Sequence, residues 1–154
     1  MMSASTRLAA ASIFLFTLTL TAQERKIGRS ALPPAVEKTV QSQSQGATIK
    51  GFTAEHEHGQ RVYEAEMIVN GHTKDIEISS NGTLNEVEEQ VSFDSLSPTV
   101  QAALTKKAAG AKITKVESLT KQGKLVAYEA ATLKGKKHGE IQVGPNGESL
   151  SHEE

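Results

Sequence analysis

Apolar and polar residues follow two different periods along this chain of 154 residues. Val36 and Val40 lie four residues apart, as do Val100 and Leu104, which is the spacing of one helix face. After each of these segments the period changes to two, as in antiparallel strands with one packed face and one solvated face. The pattern therefore predicts two short helices, each followed by four strands, near 48–57, 61–69, 73–79 and 84–90 and then near 112–121, 125–134, 137–143 and 147–151.

Prolines and glycines indicate where the two helices begin and end. Pro34 and Pro98 suit the first helical turn, where a missing backbone N–H is tolerated, and Ser97 is a suitable N-cap for the second helix. Gly46 and Gly110 suit the helix ends, because glycine readily adopts the left-handed conformation found there. The first helix should fray sooner, since its last part is the weakly helix-forming tract QSQSQ.

Most of the chain is an internal duplication. The segment LPPAV at 32–36 recurs as LSPTV at 96–100, and DIEI at 75–78 recurs as EIQV at 140–143. A repeat of this length corresponds to one supersecondary unit, so it predicts the architecture directly. We expect an α+β fold of two tandem units, each a helix followed by four antiparallel strands (α-β-β-β-β). One unit of about 60 residues is marginally stable alone, so the two should pack together.

The N-terminal segment has the features of an export signal. Arg7 is followed by a stretch that is apolar apart from Ser and Thr, and polarity returns at Gln23. This stretch is short for a membrane span, which needs about 20 residues. We expect cleavage after Ala22 and a periplasmic or secreted protein of a bacterial envelope; an uncleaved anchor is the alternative. The predicted organisation is a signal peptide at 1–22, a linker at 23–31, and repeat units at 32–95 and 96–154.

The charges are balanced overall but unevenly distributed. The net charge is −1, which makes a general nucleic-acid binder an unsuitable interpretation. The first unit contains eleven Asp and Glu against four Lys and Arg, whereas the second contains nine Lys against six Glu. There is no cysteine, so disulfides and thiol chemistry are excluded and stability must come from packing.

The repeated strands resemble those of a known domain family. The segments are QRVYEAE at 60–66 with DIEISSNG at 75–82, and KLVAYEA at 124–130 with EIQVGPNG at 140–147. They are similar to PepSY and PepSY-like domains of exported bacterial proteins, here as a tandem pair. The tandem form also resembles the fold of the beta-lactamase inhibitory protein. The resemblance implies a non-catalytic module that inhibits or regulates a protein partner, and it brings no catalytic residues. The disulfides of the lactamase inhibitor are missing from this chain.

Three histidines form one candidate metal site. His56 and His58 are two residues apart on a predicted strand and share a face, and His72 on a neighbouring hairpin could supply a third ligand for Zn²⁺ or Cu²⁺. The alternative interpretation is an exposed polar hairpin. The second repeat has no histidines at the positions that correspond to His56 and His58.

Carboxylates form a second candidate site. Glu64, Glu66, Asp75 and Glu77 are predicted to share one face of adjacent strands. Such a face could bind a basic partner or hold Ca²⁺ weakly. The alternative is a solvated outer face that resists edge-to-edge association. Glu86, Glu88 and Glu89 extend the same negative charge.

These patterns predict an exported, non-catalytic module without a cofactor that binds or inhibits a protein partner such as an envelope enzyme. The alternative is a periplasmic metal-binding or ion-binding protein that uses the histidines or the acidic face. An enzyme is not expected, because the sequence has no nucleophile elbow and no phosphate-binding glycine loop. Neither nucleic acid nor stable membrane insertion is expected, and a monomer is favoured because packing the two units together is already required for stability.

Overall fold

The computed structural model describes residues 25–57, 59–152 and 154. The predicted signal peptide, its cleavage site and His58 therefore lie outside the described residues. Eight strands and two α-helices are found. The strands are β1 Arg25–Ile27, β2 Thr48–Glu57, β3 Gln60–Val69, β4 His72–Ser79, β5 Leu84–Gln90, β6 Lys112–Lys121, β7 Lys124–Lys134 and β8 Lys137–Val143; the helices are α1 Pro34–Gln43 and α2 Pro98–Ala108.

All eight strands belong to one antiparallel sheet in the order β1-β2-β3-β4-β5-β6-β7-β8. The predicted α+β class of two α-β-β-β-β units is therefore wrong, because the chain is mostly β and the strands form one continuous sheet. Pairing of β5 with β6, for example Glu88 opposite Leu119, joins what the sequence suggested were two sheets. Helical periodicity in two short segments made the helices more prominent in the prediction than they are in the fold.

The duplication is retained as two halves of this single sheet. We call β1, α1 and β2–β4 the N-terminal half, and β5, α2 and β6–β8 the C-terminal half. Each half has a strand, a short 3₁₀ turn, a helix and three strands in the same order. The strand β5 pairs with β4 on one side and with β6 on the other, so it holds the halves together.

Each of the two helices packs against the hydrophobic core of its own half of the sheet. Val36 and Val40 of α1 are fully buried with Ile76 and Ile78 of β4. In the C-terminal half the core contains Leu96, Val100, Leu104, Val116, Ala130 and Val143. Because strand side chains alternate between faces, the residues between these core positions are placed on the opposite face of the sheet.

The last predicted strand, 147–151, is wrong. After β8 the chain turns, with the N–H of Gly144 donating to the carbonyl of Glu148 at 2.8 Å, but no strand follows. The N–H of Glu154 instead donates to Oε1 of Gln142 at 2.8 Å. In the N-terminal half the corresponding turn leads into β5, and β5 also pairs with β6 on its other side. Within the described residues, no second strand lies beside the segment that follows β8.

Candidate functional site

The face of the sheet away from the cores is rich in carboxylates. On β4, Asp75 and Glu77 alternate with the buried Ile76 and Ile78, so they project from the other side. The same alternation applies on the neighbouring strands. We call the resulting surface the acidic face; it consists of Glu55, Glu57, Glu64, Glu66, Asp75, Glu77, Glu86, Glu88, Glu117 and Glu129.

Many of these carboxylates lie directly opposite one another on adjacent strands. Like charges in such positions destabilise a sheet, by roughly 0.2–1 kcal/mol for each cross-strand pair. Neutral or oppositely charged residues would fold more stably here, so the arrangement is costly for the fold itself. The five opposed pairs are Glu64 with Glu77, Glu66 with Asp75, Asp75 with Glu88, Glu77 with Glu86, and Glu117 with Glu129.

Three carboxylates converge where the two halves meet. Asp75 on β4, Glu88 on β5 and Glu117 on β6 each place one oxygen within 4.8 Å of the others. Glu117 is only 4% exposed, and two groups hold it in place. The hydroxyl of Thr73 donates to its Oε1 at 3.0 Å, and Nζ of Lys115 lies 2.7 Å from its Oε2.

Burial and the repulsion of neighbouring carboxylates raise the pKa of two members of this cluster, Glu88 and Asp75. Burial, together with the negative charges of Glu117, Glu129, Glu86 and Asp75, raises the pKa of Glu88 to about 8. Burial also raises the pKa of Asp75, with further contributions from Glu117 and Glu66. A carboxylate with such a pKa is largely protonated at neutral pH, so a cation that binds there releases a proton.

Carboxylates at the margins of the acidic face also have raised pKa values. Burial and the nearby Glu77 and Glu55 raise the pKa of Glu57. Burial raises the pKa of Glu86, although Lys121, whose Nζ lies 3.5 Å from its Oε2, acts in the opposite direction. The amide of Asn85 donates to Oε1 of Glu77 at 2.7 Å, which positions that carboxylate beside the others.

A shallow depression of about 190 Å³ lies within the acidic face. Its lining is almost entirely carboxylate, so its chemistry favours cationic groups over neutral or anionic ligands. Lys115 and Lys121 offset part of the negative charge but lie at one side, on β6. The lining residues are Glu55, Glu57, Glu64, Asp75, Ile76, Glu77, Glu86 and Glu88.

The structure does not bring the histidines together. His56 on β2 lies opposite Arg61 of β3, whereas His72 lies opposite Val69 at the other end of β3. At the rise of an antiparallel strand, these positions are roughly 27 Å apart. Both side chains are exposed, and a site shared by His56 and His72 has no support in this geometry.

Sequence reasoning identified only part of the acidic face. It correctly placed Glu64, Glu66, Asp75 and Glu77 on one face, but it grouped Glu89 with them. Glu89 instead lies on the other face, where its Oε1 accepts from Lys74 at 3.0 Å. Glu117 and Glu129 were missed, although each alternates with a buried residue; their nearness to Asp75 depends on the pairing of β5 with β6.

Comparison with solved structures identifies similar folds. A DUF2874 family protein from Bacteroides ovatus has a TM-score of 0.61 at 20% identity, over 78% of this chain and 85% of that one. A BLIP-like protein from Bacteroides fragilis has a TM-score of 0.56 at 22% identity, over 80% and 86%. A Bacteroides eggerthii protein described as periplasmic has a TM-score of 0.61 at 14% identity, over 76% and 84%.

This chain has the fold of those bacterial proteins. The expected similarity to the architecture of the lactamase inhibitor is thus supported at the level of fold, whereas the PepSY resemblance is not confirmed. No protein-family model and no curated protein matches the sequence. Within the part of the chain that the structure describes, neither helix is long and apolar enough to cross a lipid bilayer.

Proposed function

We propose that this chain is an exported, non-catalytic binding protein of the bacterial periplasm that docks a basic region of a protein partner on its acidic face. The chain is proposed to be related to PepSY-like domains. A BLIP-like neighbour and a neighbour described as periplasmic support the class and the location. The predicted N-terminal signal agrees with that location.

The five opposed carboxylate pairs carry this proposal. An outer sheet face needs charge for solubility, but it does not need like charges placed opposite one another on neighbouring strands. Basic side chains of a partner would relieve this repulsion and would release the proton held on Glu88. The free energy gained when the repulsion between carboxylates is relieved then favours binding. The unbound protein is less stable because it retains this repulsion.

Charge reversal at one position tests this function. Glu66 lies on the acidic face opposite Asp75, and Glu66→Lys should remove most of the partner that co-purifies with the mature protein from the envelope fraction. Asp94→Lys is the matched control, because Asp94 is exposed in the turn before α2, away from the face. Equal recovery of the same partner by both variants and the unmodified protein would show that the acidic face is not the docking surface.

A second candidate function is divalent cation binding by Asp75, Glu88 and Glu117, because their oxygens converge within 4.8 Å. Ca²⁺ prefers such oxygen ligands, but it needs six to eight of them, and Lys115 competes for Glu117. Calorimetric titration with Ca²⁺ in buffers of different ionisation enthalpy measures both binding and proton release. Binding weaker than millimolar, or binding unchanged in Glu88→Gln, would exclude this function.

A further inference from the structure

The last strand of the sheet has an open edge whose counterpart is covered in the other half. Within the described residues, β8 pairs with β7 alone, whereas β4 pairs with both β3 and β5. The segment DIEI of β4 corresponds to EIQV of β8, so Asp75, Ile76 and Glu77 correspond to Glu140, Ile141 and Gln142. The N-terminal half thus shows how a strand is accommodated on this edge.

We propose that the outer edge of β8 accepts an extended segment of a partner protein in the register that β5 takes against β4. In that register Glu88, Val87 and Glu86 lie opposite Asp75, Ile76 and Glu77. Addition of a strand to an exposed edge is a general mode of peptide recognition, in which backbone hydrogen bonds give affinity and alternate side chains give specificity. This surface is separate from the acidic face and does not depend on the function proposed for that face.

Burial shows what the missing strand would cover. Ile76 is 1% exposed beneath α1, where Leu84 and Val87 of β5 pack against the same core. Ile141 remains only partly buried against the C-terminal core and Lys137–Glu140 are exposed, whereas Gln142 and Val143 at the end of β8 are buried. An apolar residue placed opposite Ile141 would complete the core beneath α2 as Val87 does beneath α1.

The charges beside the open edge of β8 indicate which residue should stand next to the apolar residue of the added strand. Glu140 projects from the same face as Gln142, whose amide donates to Oε2 of Glu129 at 2.7 Å. A strand in the register of β5 would place one residue beside Glu140, whose negative charge already acts on Glu129. We infer that this residue is Lys or Arg, so the occupant has a basic residue next to an apolar one in an extended segment.

The backbone of β8 indicates which groups are available. Nζ of Lys107 donates to the carbonyl of Gln142 at 2.8 Å, so this carbonyl is reached from outside the β7–β8 ladder. Backbone groups alternate in direction along a strand, so the N–H and carbonyl of Glu140 also point outwards. Lys107 is exposed on α2 and makes one hydrogen bond that a strand amide can replace. Lysine at an edge commonly prevents unwanted pairing, so Lys107 would restrict the edge to partners that displace it.

The charges disfavour a second copy of this chain as the occupant. Two β8 strands paired edge to edge would bring two Lys107 ammonium groups together above adjacent Gln142 carbonyls. Within the described residues, β1 of another copy would offer three residues, Arg25–Ile27, for pairing with β8. A partner strand of the stated chemistry meets neither difficulty.

A peptide taken from the chain itself is a suitable probe. It contains residues 86–91, because Glu148 beside Gly144 already takes the position of Thr83 beside Ser79. In its Glu88→Lys form the lysine should face Glu140 and Val87 should face Ile141. The unmodified peptide is the matched control, since it differs only in charge. Fluorescence anisotropy should show tighter binding of the lysine peptide by about fivefold, the upper range for one cross-strand charge pair. Amide resonances of β8 should shift on binding, and methylation of the peptide backbone nitrogens should abolish it.

Protein variants make the test specific. Glu140→Lys should reverse the preference between the two peptides, and Lys107→Ala should tighten both. Glu140→Pro should keep the fold, because an edge strand tolerates proline where its N–H faces solvent, and should abolish peptide binding. Circular dichroism checks that this variant is folded.

Three results would overturn the proposal. One is the absence of peptide binding to both the unmodified protein and Lys107→Ala at millimolar concentration. Another is binding that Glu66→Lys weakens and Glu140→Lys does not, which would place the peptide on the acidic face. The third is dimerisation of the unliganded protein that Glu140→Pro abolishes, which would identify a second copy as the occupant. Failure of the acidic-face function alone leaves all the β8 measurements unchanged.

Discussion

In the N-terminal half β4 is covered by β5, whereas the corresponding strand β8 of the C-terminal half has one open edge. Ten buried residues form the N-terminal core and six form the C-terminal core. At the junction, β5 packs the partly buried Leu84 and Val87 against the N-terminal core while it also pairs with β6. One strand thus completes the first half and joins it to the second.

The two halves also differ in how they carry charge. The acidic face extends mainly over strands of the N-terminal half and over β5, and it includes the three converging carboxylates of β4, β5 and β6. Several lysines of the C-terminal half lie instead on exposed positions of α2 and the β7–β8 hairpin. The two halves share the same order of elements but present different surfaces. Both β5 and the three converging carboxylates lie at the junction between the halves.

The largest effect is expected from Asp at the paired core positions Ile76 and Ile141. Ile76→Asp buries a carboxylate without a partner between two covered strands and should cost more than about 4 kcal/mol, enough to unfold most small domains. Ile141→Asp should cost only about 1–2 kcal/mol, because solvent reaches the open edge. Urea unfolding followed by circular dichroism measures both, with Glu140→Asp as the exposed control. Equal losses at the two positions would mean that β8 is covered in solution.

The junction carboxylates should make stability depend on pH. The pKa of Glu88 is raised to about 8 in the folded protein, above its value in the unfolded chain. Its contribution to stability is therefore fully present below the unfolded pKa and is lost as pH rises through the folded pKa, from about pH 4.5 to pH 8. Glu88→Gln should remove this loss and make the variant more stable than the unmodified protein at pH 9 by about 1–2 kcal/mol, after allowance for solvent screening.

Urea unfolding at pH 5, 7 and 9 checks this expectation. Glu66→Gln serves as a control on the same face outside the three converging carboxylates. Parallel pH profiles for Glu88→Gln and the unmodified protein would show that Glu88 is not protonated at neutral pH.

The helix N-termini offer a smaller comparison. The hydroxyl of Ser97 accepts from the N–H of Val100 at 3.3 Å, whereas Pro33 at the corresponding position before α1 makes no such bond. Ser97→Ala should destabilise the protein by about 1 kcal/mol through loss of this cap. Ser92→Ala is a nearby control, because Ser92 is exposed and its side chain makes no cap hydrogen bond. A thermal melt that is identical for Ser97→Ala and the unmodified protein would show that the cap is replaced by water at no cost.

The smallest effect is expected from salt. If the opposite net charges of the two sequence repeats, 32–95 and 96–154, are satisfied within one molecule, the chain should remain monomeric at low ionic strength and lose less than about 1 kcal/mol of stability as salt rises. The ion pair between Lys121 of β6 and Glu86 of β5 is one contact between these two repeats. Light scattering at low and high salt measures the association. Oligomers that salt dissolves would show that the charged surfaces face outwards and meet between molecules.

Local structure was largely predictable from the sequence. Alternation of apolar residues predicted seven of the eight strands to within a residue, and the prolines and Ser97 predicted where the helices begin. Tyr63, Ala65, Met67, Ile76 and Ile78 were assigned to the packed side, and all are buried. These features depend on neighbours in the chain, which is why a single sequence reveals them.

The sequence also contains the internal duplication that the two halves of the single sheet retain, and it indicated that one face would be acidic. The tertiary structure alone decided that the strands form one sheet, because the pairing of β5 with β6 joins residues distant in the chain. The pairing of β5 with β6 brings Glu117 to Asp75 and Glu88. Within the described residues no strand pairs with the outer edge of β8, so that edge is open. A strand pattern shows which side chains share a face but not which strand lies beside it, since backbone hydrogen bonds are the same for every neighbour.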